Sequence, residues 1–252
     1  MGCTGAPEPG DASIARWRRA GGSWMDRAMI EVSSVTHRFG AHHVLRDVDL
    51  TIAERRVGII GANGSGKSTF ARLLNGLLIP DEGTVTVDGI DTREDVKAVR
   101  RRVGFVFQNP DNQIVFPVVE EDVAFGLKNL KLPKGEIERR VDAVLERYRL
   151  SHLRDRATHL LSGGEKQMLA ISAVLVMEPR YLVLDEPMTL LDLRNKELII
   201  EIIREIEQPV VLVTHDLEHL RDFDRVIVFD EGGVAADGPP DAAIGEYLRA
   251  MA

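Results

Sequence analysis

The chain has a single cysteine, Cys3, among its 252 residues. Internal disulfides and cysteine-based zinc sites are thereby excluded, and a reducing compartment is expected. It also lacks any apolar run near the roughly 20 residues needed to cross a bilayer. Its apolar stretches, such as Val57–Ile60 and Tyr181–Leu184, have the length of buried strands. A soluble chain that can sit on a membrane protein is expected. An excess of positive charge is missing too: 40 acidic residues face 32 basic ones, for a formal net charge of -8. That weighs against non-specific capture of nucleic acid or anionic lipid, so no nucleic-acid partner is expected. The cluster Arg100, Arg101 and Arg102 reads as a solvated helix end. No apolar stretch precedes Cys3 and position 6 is Ala6, so neither a lipoprotein signal nor myristoylation is expected.

What is present is an ordinary 44% of hydrophobic residues, in a chain long enough for one large α/β domain. Residues 1–28 are rich in Gly, Ala, Pro, Asp and Arg and show no sustained period, which predicts a disordered extension. Met25 and Met29 leave the true start open. A folded domain is expected over 29–250. Short β-type segments are expected at 30–36, 47–52, 56–60 and 84–88, and another over Val103–Phe107. Residues 113–178 change character and read as an inserted helical block. There, Ile137, Val141, Val144, Leu145 and Tyr148 share one helical face, as core residues do. After Pro179 the β/α alternation resumes, with strands at 181–184, 210–213 and 225–229 and a helix near 194–207. Strands alternating with helices indicate a largely parallel sheet.

Two motifs carry the chemistry. GANGSGKST, Gly61 to Thr69, follows a strand and opens a helix, which is the context a phosphate-binding loop requires. Gly61, Asn63, Gly64, Ser65 and Gly66 let backbone N–H groups converge on phosphate oxygens, aided by the helix N-terminus. Lys67 is expected to reach the β- and γ-phosphates, and Ser68 to offer a hydroxyl to Mg²⁺. Thr69 extends the motif. Tyr181–Leu184 then delivers Asp185 and Glu186 to the C-terminal edge of the sheet, where ligands of open α/β sheets sit. Asp185 is expected to hold Mg²⁺, mostly through water, and Glu186 to orient or deprotonate the attacking water. Two carboxylates beside a triphosphate repel it without a cation, which is the argument for Mg²⁺.

The order GANGSGKST, Gln108, LSGGE (Leu161 to Glu165), LVLDEP, TLLD (Thr189 to Asp192) and THD (Thr214 to Asp216) resembles that of ATP-binding cassette (ABC) ATPases over about residues 30–240. The resemblance implies a P-loop NTPase, RecA-like core with an antiparallel β subdomain and an inserted helical subdomain. It implies a head-to-tail dimer in which each ATP lies between one chain's phosphate loop and the other chain's Ser162, Gly163 and Gly164. Those three residues open a helix, so their N–H groups suit an anion. It further implies that Gln108 senses Mg²⁺ and the attacking water, that His215 contacts the γ-phosphate, and that Asp192 bridges the monomers. Phe39 is the expected adenine-stacking aromatic, with His37 as the alternative. Met188 stands where the family usually has Thr.

The stretch QNPDNQIVFPVVEEDVAFG, Gln108 to Gly126, resembles that of energy-coupling factor (ECF) ATPases, which serve vitamin and transition-metal importers. There it forms a short extra helix beside the groove for the membrane subunit's coupling helix. Asp111, Asn112, Gln113, Glu121 and Asp122 are the candidate groove contacts, an acidic set suited to Arg-containing coupling helices. The implied partners are a second ATPase copy or paralogue, a transmembrane T component and a substrate-binding S component, at the cytoplasmic face of the cell membrane. The segment Thr189 to Asn195 and the short C-terminus resemble the ATPase of biotin transporters, with cobalt or nickel import as the rival. A soluble ABC ATPase acting on nucleic acid or the ribosome, and a non-catalytic regulatory cassette, remain the alternatives of other classes.

Overall fold

The computed structural model describes residues 30–251. The expected N-terminal extension and Cys3 lie outside the described residues.

Two sheets organise the fold. An antiparallel sheet joins β1 (Ile30–Phe39), β2 (His42–Ile52), β4 (Glu82–Val87) and β5 (Ile90–Asp91) in the order β2-β1-β4-β5. The second sheet has the order β10-β9-β3-β8-β7-β6, from β3 (Arg56–Gly61), β6 (Val103–Val106), β7 (Tyr181–Asp185), β8 (Val210–Val213), β9 (Arg225–Asp230) and β10 (Gly233–Gly238). Its pairs are parallel except β9 with β10. This is the RecA-like core with its antiparallel partner sheet that the motif order implies.

The strands β3, β7 and β8 are buried at every residue. That pattern arises when both faces of a parallel sheet are covered. One face meets the antiparallel sheet and α1 (Lys67–Leu74), where Phe70 and Phe229 pack with ring centroids 4.9 Å apart. The other face meets α5 (Gly163–Leu175) and α6 (Leu193–Glu205) through Leu169, Leu182, Ile199 and Leu212. Between β6 and β7 the chain forms α3 (Val119–Asn129), α4 (Lys134–Arg147) and α5. On α4, Val141, Val144 and Leu145 are buried, with Tyr148 just beyond it, while Ile137 is partly buried against them.

The elements that differ from expectation have local causes. β2 starts five residues earlier than expected because β1 and β2 form a hairpin closed at Phe39 and His42. Their register shifts near Val35 and His37, and Ser34 (φ +48°) and Asp47 (φ +47°) adopt left-handed backbone. Such irregularities erase the alternation that a strand prediction relies on. β10 was not expected. It follows the Glu231–Gly232 turn, where φ is +44° and +83° as a tight hairpin requires. The helices α2 (Val96–Arg102) and α7 (Pro240–Ala250) complete the order, and Arg100–Arg102 do end a helix.

The two sheets are tied at Asp88, in the β4–β5 turn. Its carboxylate accepts hydrogen bonds from the Tyr181 hydroxyl and from Arg180 Nη1 (2.7 Å), with Arg102 Nε 3.5 Å away. Burial, then this bond to Asp88, pushes the Tyr181 hydroxyl pKa up. Asp88→Ala removes the acceptor of a buried phenol. Urea unfolding is expected to show a loss of about 1–3 kcal/mol, with Asp88→Asn losing less. Equal stability of the Ala variant and the parent would refute the tie.

Candidate functional site

The site forms where β3, β6, β7 and β8 end on one edge of the sheet. Gly61 closes β3 at φ +148°, and a Cβ there would lie 2.1 Å from the Phe229 carbonyl oxygen. Gly66 precedes α1 at φ +102°, where a Cβ would lie 2.8 Å from the Val44 carbonyl oxygen. No side chain fits at either place, so the loop's glycines answer to the protein's own backbone as well as to a ligand.

Lys67, 5% exposed, donates from Nζ to the carbonyl oxygens of Gly61 and Ala62, each at 2.7 Å. Its ammonium is thus folded over the loop. Burial lowers its pKa, opposed by the charges of Glu186 and Asp185. Ser68 donates from Oγ to Asp185 Oδ1 at 2.7 Å, and Arg72 Nη2 lies 3.6 Å from Asp185 Oδ2. Asp185 is 1% exposed, and burial raises its pKa despite Ser68 and Arg72. Burial penalises the charged form of both the ammonium and the carboxylate. A polyanion meets the first need and a hard cation the second. Among the described residues no cluster of three or more His, Cys, Asp or Glu could hold a metal ion alone. The donor set is one carboxylate and one hydroxyl, with the Gln108 amide nearby. That suits a small cation completed by phosphate oxygens and water.

Glu186 follows at the end of β7 with its side chain largely covered. Its Oε2 meets Thr189 Oγ1 at 2.8 Å, Gln108 Nε2 at 3.3 Å and His215 Nδ1 at 3.4 Å. A cleft of about 590 Å³ is lined by the phosphate loop with Gln108, Glu186, Thr189 and His215. With Val44 of β2, the structure gathers five separate stretches of sequence around one cavity.

A family model described as ABC transporter matches residues 45–189, more than half of the chain. The chain belongs to the ABC transporter family. A putative ABC transporter ATP-binding protein of Deinococcus radiodurans is 61% identical over 223 residues, covering 88% of this chain and 99% of that protein. A biotin transport ATP-binding protein of Rhizobium etli is 49% identical with the same coverage. A cobalt import ATP-binding protein of Syntrophus aciditrophicus is 42% identical over 231 residues, covering 88% and 82%. Among solved structures, a dimeric ATP-binding cassette in a post-hydrolysis state with ADP and Pi superposes with a TM-score of 0.74 at 30% identity, covering 84% of this chain and 99% of that one. The protein is an ABC ATPase that binds ATP, of the ECF type.

The ABC motifs do not all meet in one chain. Ser162, Gly163, Gly164 and Asp192 lie outside the cleft that the phosphate loop lines. Gly163 instead borders a separate hollow of about 140 Å³ with Gln108, Lys166 and Leu190. Ser162 caps α5 through a reciprocal pair: Glu165 N donates to Ser162 Oγ (3.4 Å), and Ser162 N donates to Glu165 Oε2 (2.7 Å). The Ser162 N–H bond, with a second from the Ser162 hydroxyl to the same oxygen at 2.8 Å, holds the Glu165 carboxyl below its usual range. Gly164 packs so closely on α6 that a Cβ would lie 2.4 Å from Asn195 Oδ1, while one on Gly163 would meet only Leu191 Cδ2 at 3.9 Å. Asp192 caps α6 by accepting from Asn195 N at 2.9 Å. Leu190 and Leu193 beside it are 69% and 74% exposed.

Phe39 is 53% exposed at the tip of the β1–β2 hairpin, outside the cleft lining. His37 is 7% exposed and meets Phe39 edge-on, with centroids 5.0 Å apart. Its face is covered, so the structure removes His37 as the alternative stacking residue.

Two groove candidates also turn inward. Gln113 accepts from Phe107 N (3.1 Å) and donates to the Ala170 carbonyl (2.7 Å), tying the segment after Gln108 to α5. Asp122 is 6% exposed and accepts from Val115 N and Phe116 N. Their polarity satisfies backbone rather than a partner. Asp111 is exposed and paired with Lys166 at 2.7 Å, while Asn112 and Glu121 are exposed. The short extra helix is a single 3₁₀ turn, Pro110–Asn112, capped by Asn109.

Sequence reasoning missed Thr189 and Arg72. Arg72 follows Ser68 by one helical turn, a spacing that places it beside the carboxylate Ser68 binds. Thr189 carried no signal of its own, because its role depends on the turn after Glu186.

Proposed function

We propose that this ABC ATPase is the motor of an ECF importer for a vitamin, with biotin as the favoured cargo. The carrying observation is the divided site: the cleft gathers Lys67, Ser68, Glu186, Gln108 and His215, with Asp185 buried behind Ser68, while Ser162–Gly164 open elsewhere. A second chain, identical or paralogous, supplies its Ser162–Gly164 to the γ-phosphate, and Asp192 with exposed Leu190 and Leu193 meets that chain. Ser68 and Asp185 would hold Mg²⁺, which would supply positive charge against the phosphates. Phe39 stacks on adenine. Closure of the dimer moves the coupling helices of a T component seated near Asn112 and Glu121, and an S component carries the cargo. No helix of the described residues is long and apolar enough to cross a membrane. The proposed attachment is through those membrane subunits, at the cytoplasmic face.

The resemblance around Thr189–Asn195 and the biotin-named relative support biotin. The cobalt-named relative keeps metal import as the rival. The chain is to be purified with its membrane partners, reconstituted in vesicles and given labelled biotin, Co²⁺ or Ni²⁺ with internal ATP. ATP-dependent accumulation of biotin alone supports the reading, and metal accumulation overturns it.

Gly163→Ala tests the divided site. Its Cβ has room in the single chain, so the melting temperature should stay within about 1–2 °C of the parent's, as for a neutral surface change. ATP turnover should nevertheless fall at least tenfold, because the methyl intrudes where the partner's phosphate sits. Unchanged turnover would contradict the assignment.

A further inference from the structure

We propose that Thr189 is a positioning residue for Glu186, holding one carboxylate oxygen so that the other takes the proton of the attacking water. The proposal rests on Glu186 as that proton acceptor. In that step the water oxygen bonds to the γ-phosphorus, the bond to the bridging oxygen of ADP breaks, and the water's proton passes to the carboxylate.

The geometry begins with the backbone. Glu186 has φ +49°, a left-handed conformation that costs a non-glycine residue energy. Its N–H still donates to the Val213 carbonyl at 2.9 Å, so the main chain is fixed to the sheet at the bend. A turn follows, closed by Thr189 N to the Glu186 carbonyl at 3.3 Å. Met188 is 1% exposed and packs into the core, where a Thr would bring a hydroxyl. The buried Met188 anchors the turn and leaves Thr189 on the cleft wall.

The contacts then single out Thr189. Thr189 Oγ1, Gln108 Nε2 and His215 Nδ1 all approach Glu186 Oε2, at 2.8, 3.3 and 3.4 Å. The Thr189 bond is the shortest of the three. Gln108 and His215 have other tasks assigned by the family resemblance, toward Mg²⁺ and the γ-phosphate. A hydroxyl from Glu186's own turn has no such call on it and stays when those two are drawn to the nucleotide. A β-branched side chain is stiff at χ1, so the donor's position is fixed by the turn. With Oε2 committed, Oε1 is the oxygen free to accept a proton.

The test uses the full chain with Mg²⁺ and ATP. Thr189→Val keeps shape and loses the donor, whereas Thr189→Ser keeps the donor. For the Val variant, kcat should fall about tenfold, the scale of a lost hydrogen bond to a charged group, with KM for ATP within about twofold. The Ser variant should stay within about threefold of the parent in kcat. Added to Glu186→Gln, Thr189→Val should leave ATP-dependent dimer formation intact, showing that Thr189 acts after binding. Parental kcat in the Val variant, or an equal fall in the Ser variant, overturns the proposal. So does loss of the dimer in the double variant when Glu186→Gln alone retains it. Turnover by Glu186→Gln at the parental rate would instead overturn the underlying role of Glu186.

Discussion

Glu186→Gln is expected to lower ATP turnover by about 10²–10⁴-fold, the range for losing a general base, while ATP still binds. The amide preserves the size of the side chain and an oxygen that Thr189 can donate to. It cannot take a proton from water. Nothing in the phosphate loop changes, because Lys67 holds its own carbonyls at Gly61 and Ala62 and Ser68 holds Asp185. Binding without hydrolysis should therefore accumulate a closed dimer, visible by size-exclusion chromatography with excess Mg²⁺ and ATP and absent with ADP. A variant that stays monomeric with ATP would remove the sandwich reading.

Lys67→Met carries the second large effect. Loss of a buried charge that meets an anion costs about 2–5 kcal/mol of binding, roughly thirtyfold or more in Kd. Isothermal titration with a non-hydrolysable ATP analogue measures it. The unliganded protein should respond differently. Because burial lowers the Lys67 pKa, the folded chain holds this proton less tightly than the unfolded chain does. Between the lowered value and the ordinary lysine value, unfolding takes up a proton, so this residue's contribution to stability rises with pH. Below both values the penalty for a buried charge is fully present. Lys67→Met relieves that penalty, so the variant without nucleotide should be no less stable than the parent near pH 7. Its advantage should shrink in the alkaline range. ATP should raise the parent's stability by about 2.7 kcal/mol at a hundredfold excess over Kd and the variant's by far less at the same concentration. Equal affinity of parent and variant for the analogue would refute the role of Lys67.

The phosphate loop is legible in the sequence because its parts are contiguous, whereas the stacking and groove contacts depend on distant segments. Nine consecutive residues, Gly61 to Thr69, contain the turn, the positive φ values and the helix start that suit a phosphate. Asp185 and Glu186 follow a wholly apolar strand, so their place at the sheet edge could be read directly. His37 and Phe39 are two residues apart on one irregular strand, and spacing cannot tell which face is covered. The register shift between them is a tertiary outcome of pairing with β2. Gln113 and Asp122 looked like exposed polar groups because their partners, the Ala170 carbonyl and the Val115 and Phe116 amides, are invisible in a pattern of side chains.

By itself the sequence displayed each motif: a glycine-rich loop between strand and helix, a carboxylate pair after an apolar strand and a helix start at Ser162–Gly164. It also determined the alternation that builds a parallel sheet. Only the tertiary structure decided which motifs share a cavity. Parallel pairing of β3, β8, β7 and β6 brings Lys67, Gln108, Glu186 and His215 to one edge, and the turn after Glu186 adds Thr189. The start of α5 is instead fixed against α6 by the close approach of Gly164 to Asn195. Backbone conformation within a loop is set by neighbouring residues, which a sequence displays. Juxtaposition across a sheet is set by strand register and packing between distant segments, which it does not.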